Sequence, residues 1–341
     1  MRDGGIPIDV PFHSATGPAG HSQLTVSGLS AGAPLVDFPL LVVLDDKRAD
    51  LAAMASDDSD VRFYDDGGNV LASEIEQAGD PGVAPLVAWV RIPSLVTGTI
   101  LSVTYGATPT DTSTSSVWSD AYLAVWHLSD SGVAHDATGH QFDGTPTGTK
   151  RATGQIGGGR AFDNANPDWI TVTSGTTLTT TVLTMSAWIN QRIAPPTYFV
   201  AVSREAGSGD DNALWLGEGN GALAEASTTN SGDVPIQGPA IATSHWTHLA
   251  ATVDGTTGAL YVDGSSAASA SLVGSLINDP LPVFLGAARD GDAPAGMPDH
   301  DFVDGTLDEI RLENVVRPVD WLVADDASQR DQLITYGPIQ H

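Results

Sequence analysis

Trp169, Tyr198 and Trp215 stand on or beside segments of strand length, and Asp210, Asp211 and Asn212 sit close to Trp215 in the chain. Aromatic rings stack on the C–H faces of sugars while carboxylate and amide groups take the hydroxyls. These six residues are therefore a candidate ligand groove. A second constellation is acidic: Asp290, Asp292, Asp299, Asp301 and Asp304 share one Gly- and Pro-bearing loop. No glutamate stands at the twelfth position from Asp290, so this is not an EF-hand, and a solvated loop is the plainer reading. Asp57, Asp58, Asp60, Asp65 and Asp66 form a similar group, read the same way. Glu74 and Glu76 share a strand face without a third acid. His245 and His248 fall on opposite faces of a strand, and His135 and His140 bracket a turn at Asp136, so no histidine ligand set emerges. A phosphate-binding loop, a dinucleotide fingerprint after a strand and a Ser/His/Asp signature are all absent.

Such groups need a scaffold, and the composition describes it. The 341 residues carry 42 acids against 14 bases, a formal charge of −28, with Lys47 and Lys150 the only lysines. That field repels nucleic-acid phosphates and anionic lipid heads, so neither is an expected partner. Divalent cations and a salty medium suit it. With no cysteine, disulfides and thiolate metal sites are excluded. Gly and Pro number 37 and 21, which suits many short strands joined by many turns. No apolar run is long enough to span a bilayer, and the N-terminus lacks a basic segment followed by an apolar one. A signal peptide already removed, and a secreted or surface location, are the expectation.

Along the chain, residues 1–22 read as a tail. Strand patterns then recur at Leu24–Val26, Phe38–Leu44, Asp60–Tyr64, Val70–Gln77, Val87–Ile92 and Thr99–Tyr105. Together 23–107 reads as a small β-sandwich of unknown function, with only Lys47–Ala55 helical in character. A Thr/Ser/Pro-rich linker follows at 108–118. A second β series covers 119–335: Ala124–Leu128, Trp169–Thr173, Leu183–Asn190, Phe199–Ser203, Asn212–Leu216, Thr247–Val253, Ala259–Val262, Val283–Leu285 and Gly305–Glu313. Pro318–Arg330 closes it as a helix, with Pro318 suited to the first turn.

The second series resembles the laminin-G-like family of concanavalin A-like jelly rolls. The matching pieces, in family order, are Val125-Trp-His-Leu128; Asp136-Ala-Thr-Gly139 with Gly144; Gly154-Gln-Ile-Gly157 before Ala161-Phe162; Met185-Ser-Ala-Trp-Ile189; Trp246-Thr-His-Leu-Ala250; Leu260-Tyr-Val-Asp-Gly264; Phe284-Leu-Gly286; and Gly305-Thr-Leu-Asp-Glu-Ile-Arg311. The first series resembles an uncharacterised bacterial domain that precedes such jelly rolls, through Phe38-Pro-Leu, Asp60-Val-Arg-Phe63, Glu74-Ile-Glu76, Ala88-Trp-Val90 and Tyr105-Gly106. The fold class expected is all-β: two β-sandwich domains, the second a concanavalin A-like jelly roll.

The resemblance implies a structural Ca²⁺ held by Asp136, the carbonyl region near Gly139, and Asp308. It also implies that Trp126, Trp188 and Trp246 sit in the core. Jelly-roll glycosidases of this kind carry E-x-D-x-x-E on one strand; Asp308-Glu-Ile-Arg-Leu-Glu313 has a different spacing, and alternation puts Asp308 and Glu313 on opposite faces. The expected function is therefore an extracellular, non-catalytic carbohydrate-binding or adhesion protein whose partner is a polysaccharide or glycan. A structural subunit of a cell-surface assembly, with homo-oligomers, is one alternative, and a polysaccharide hydrolase or lyase is another.

Overall fold

The computed structural model describes residues 19–108, 116–173, 180–195, 198–205, 212–277, 281–289 and 297–341. The chain divides into two units: Met1–Val117 with Ala327–His341, and Trp118–Asp326. The fold is all-β, as the short alternating segments require.

In the first unit, one sheet runs in the order Ile334–Tyr336, Gly20–Val26, Ile100–Tyr105, Arg62–Asp65, and a second in the order Leu35–Leu44, Leu86–Leu95, Ser73–Gln77. Leu24, Val26, Phe38, Leu40, Phe63, Leu101 and Val103 are fully buried. The C-terminal strand is part of this unit because of its register: Leu24 pairs with Tyr336 and Val26 with Ile334. A further bridge joins His21 to Gln340. The Tyr336 hydroxyl donates to Asp331 Oδ1 at 2.7 Å and accepts from Val43 N at 3.1 Å, with the Arg48 guanidinium over its ring. The sequence reading carries the second domain to residue 335, whereas the second unit ends at Asp326.

The second unit packs two antiparallel sheets. The larger runs Ser265–Ser271, Thr257–Val262, Thr247–Val253, Leu183–Gln191, Gly305–Glu313, Gly158–Phe162, Lys150–Thr153, with Tyr122–Trp126 pairing the later half of Gly305–Glu313. The other runs Ser231–Gln237, Ala222–Thr228, Asn212–Glu218, Phe199–Glu205, Val283–Leu285, Trp169–Val172, Gly144–Thr147. One apolar cluster fills the space between, including Trp126, Phe162, Ile189, Leu216, Leu285 and Leu307.

Two local expectations are corrected. Lys47–Ala55 is no helix: Asp45 Oδ1 accepts from Lys47 N and Arg48 N to make a turn, a 3-10 turn spans Leu51–Ala53, and Met54 is already extended at ψ 154°. In the Gly305–Glu313 strand, Glu309 takes φ 48° and the register with the Leu183–Gln191 strand shifts between Ser186 and Trp188. This bulge breaks the alternation, so Leu307, Ile310 and Leu312 all face the core. The face of Glu313 cannot then be counted from Asp308 by parity. The C-terminal helix is Val319–Gln329, with Pro318 O accepting from Trp321 N and Leu322 N.

Candidate functional site

The register of the seven-stranded sheet assembles the site. Leu285, Val202, Leu216, Ala224 and Ile236 pair across successive strands and belong to the core. The adjacent rung therefore faces outward, and it reads Thr171, Phe284, Ser203, Trp215, Glu225, Pro235. On this outer face Trp215 packs with Val200, Leu223 and Ala288 in a small buried cluster.

Trp215 is 2% exposed, so its ring is a floor rather than an open platform. Tyr198, 39% exposed, meets it edge-on at 6.1 Å and 86°. A Cβ on Gly219 would lie 2.0 Å from the Tyr198 ring, so only glycine admits the ring there. Trp169 is half-buried, donates to Thr171 Oγ1 at 3.1 Å, and faces Phe302 at 6.3 Å. The segment carrying Phe302 is tied down by Val200 N donating to Asp301 O and Ala288 N donating to His300 O. His300 lies 2.9 Å from Asp299 and 3.6 Å from Asp301. The structure thus brings Tyr198 and Trp215 together and sets Trp169 on the same outer face. Asp210 and Asp211 lie outside the described residues, as do Asp290, Asp292 and the side chain of Asn212. Asn212 opens its strand across from Glu205.

Sequence reasoning missed Glu225, which cross-strand register sets directly opposite Trp215, and Phe284, which lies on the same rung beyond Ser203. Glu225 is half-buried. A second carboxyl of note, Glu218, follows Leu214 and Leu216 on the core side, where burial pushes it up to about 7 against hydrogen bonds from Gln191 and Ile241 N.

The expected calcium residues do other work. Asp136 Oδ1 accepts from Val125 N, Thr138 N and Thr138 Oγ1, and Oδ2 from Thr138 Oγ1 and Phe142 N, at 2.8–3.1 Å. With both oxygens taken by N–H and O–H donors, this carboxylate builds a turn and does not fit Ca²⁺. Gly139 is exposed. Asp308 accepts from Ile156 N and Glu309 N, both at 2.9 Å, and a Cβ on Gly154 would lie 2.5 Å from its Oδ2. The Gly154 motif and the last-strand aspartate are thereby one device, a loop clamped onto a strand.

Trp126 and Trp188 are fully buried, but Trp246 is only half-buried. Asp58 and Asp60 are buried rather than solvated: Asp58 accepts from Gly79 N, and Asp60 from Ala55 N and Gly106 N. Glu76 accepts from Trp89 Nε1 at 2.8 Å.

Residues 164–322 match the Laminin_G_3 family, described as the concanavalin A-like lectin/glucanases superfamily. Among solved structures, domain 4 of AbnA, a GH43 extracellular arabinanase from Geobacillus stearothermophilus, in complex with arabinotriose, is 18% identical with a TM-score of 0.47 over 60% of this chain and 97% of that one. The binding domain of Paraclostridial Mosquitocidal Protein 1 is 14% identical, TM-score 0.48, over 61% of this chain and 52% of that one. The botulinum neurotoxin serotype G binding domain is 11% identical, TM-score 0.45, over 61% and 51%. The chain therefore spans about half the length of these two toxin domains. No curated protein matches the chain. On the strength of residues 164–322, the second unit carries a concanavalin A-like, laminin-G-like jelly-roll domain.

Proposed function

We propose that the protein is a non-catalytic saccharide-binding module, and that its ligand lies on the outer face of the seven-stranded sheet against Tyr198. The observation that carries this reading is the exposed Tyr198 ring, fixed by Gly219 and by the buried Trp215. A pre-set ring loses little entropy when a sugar face stacks on it. Trp169, Phe302 and the Asp299–Asp301 segment supply further apolar and polar surface. The lectin and glucanase description of the matched family supports a carbohydrate ligand. Glycoside hydrolysis asks for two flanking carboxyls, and the Trp215 rung carries only Glu225. An extracellular location is part of the reading, since polysaccharide of this kind is met outside the cell. A calcium ion at Asp136 is not part of it, and melting curves with calcium and with chelator are expected to coincide.

The test is a glycan array followed by titration calorimetry on the best hit. Tyr198→Ala should weaken binding by about tenfold or more, the loss of one stacked ring, while leaving the melting temperature near wild type. Unchanged affinity in Tyr198→Ala, or turnover of the bound glycan, would overturn the proposal.

A further inference from the structure

Arg160 lies on the Gly158–Phe162 strand of the eight-stranded sheet, next to the Lys150–Thr153 edge strand. It is fully buried. Nη1 donates to Gly132 O at 3.0 Å and reaches Thr149 Oγ1 at 3.5 Å, but Nε and Nη2 have no hydrogen-bond partner. Those two atoms form the side of the guanidinium that presents two parallel N–H donors, the geometry a carboxylate accepts. A buried guanidinium cannot shed its charge, so it demands an anion. Asp130 is the acid whose charge acts on it, yet burial still lowers its pKa, and Asp130 Oδ2 already accepts from His135 N.

A second observation is independent of the first. Arg160 pairs directly across the ladder with Arg151, so two cations sit opposite each other on one face. Like charges in that position repel unless something negative lies between them. Arg151 is exposed on the edge strand and Lys150 adjoins it. Three of the 14 basic residues of a chain with formal charge −28 thus fall within Lys150–Arg160. A chain so rich in acids could have set a carboxylate here, and it sets arginine against arginine instead. Gly158 lets the Arg151 side chain and the Ser129 loop close down on the strand beside Arg160: a Cβ there would crowd Ser129 at 3.2 Å and Arg151 Nε at 3.3 Å.

We propose that Arg160 and Arg151 form a binding site for a carboxylate anion, entered from the exposed Arg151 edge beneath the loop that carries Ser129 and Gly132. A free small carboxylate and the uronate of an acidic saccharide share this chemistry. The experiment is thermal melting of the full chain in sodium acetate, in sodium glucuronate and in sodium chloride with neutral glucose, all at one ionic strength so that screening of the acidic surface is constant. A rise of about 3 °C or more over chloride is expected with glucuronate. If acetate matches it, the site takes any carboxylate; if acetate does not, it takes the sugar acid. Arg160→Lys, which keeps the charge and removes the fork, should abolish the rise. Arg151→Gln, at an exposed edge position, should reduce it by half or more and covers the case in which the Arg160 variant folds poorly. No carboxylate-dependent rise, or a rise that survives both variants, overturns the site. Saccharide binding through Tyr198 would be untouched by that result, since it uses another face and other residues.

Discussion

Glu218 holds its proton to about pH 7 because its carboxyl is enclosed between the sheets. The unfolded chain releases the same proton near 4.5. The native state therefore binds more protons between those values, and its stability falls as pH rises from about 4.5 to about 7, then levels off. Glu218→Gln removes this penalty. It should raise the melting temperature at about pH 8 and change it little at about pH 4.5, as read by melts of both proteins at the two values. Arg311 is the reverse case. It is fully buried, donates to Glu309 at 2.7 Å and to Asp325 at 2.9 Å, and lies over Trp118. Burial alone would raise the Glu309 pKa, but His127 and Arg311 bring it down to about 2. Arg311→Met would strand two carboxylates, at a cost of roughly 3–5 kcal/mol by urea denaturation.

Strand identity was legible where branched and aromatic residues alternate: Thr247–Val253, Val283–Leu285 and Gly305–Glu313 are read with their true bounds. Ala222–Thr228, Ser231–Gln237 and Ser265–Ser271 were not, because Ala, Ser and Gly carry little strand signal on their own. They are strands because neighbours pair with them, and Ala222, Ala224 and Ala226 fit the core by being small. The candidate groove was legible as residue types, Tyr198 and Trp215, but not as a surface. Register alone sets Glu225 opposite Trp215 and puts Phe284 on the same rung beyond Ser203, and a single bulge at Glu309 defeats parity counting. Turn glycines carry part of this precision. Gly286 has φ 81°, and a Cβ there would lie 2.3 Å from the Phe162 ring. Gly286→Ala should therefore destabilise the jelly roll by about 2 kcal/mol or more through strain and displacement of Phe162, measurable by chemical denaturation.

Taken as one chain, the first unit is discontinuous in sequence and closes only when the last residues return. His21 N donates to Gln340 O, Ser27 N to Leu333 O and Val43 N to the Tyr336 hydroxyl. Deleting residues 331–341 should make those three amides exchange faster with solvent while amides inside Leu183–Gln191 keep their protection, a pattern hydrogen-exchange mass spectrometry resolves. The charge of −28 acts on everything at once. Self-repulsion should make the melting temperature climb as sodium chloride rises from about 20 mM to about 500 mM, with most of the gain below about 150 mM, where the screening length falls to about 8 Å.

The pairing of the first and last strands also fixes how the protein responds to force. The start of Gly20–Val26 lies beside residue 340, so residues 19 and 341 leave the ladder at the same end. Tension applied across those two points peels the hydrogen bonds one after another instead of loading them together in shear. A handle attached at each end should open the first unit like a zipper, at low tension and with no sharp rupture peak.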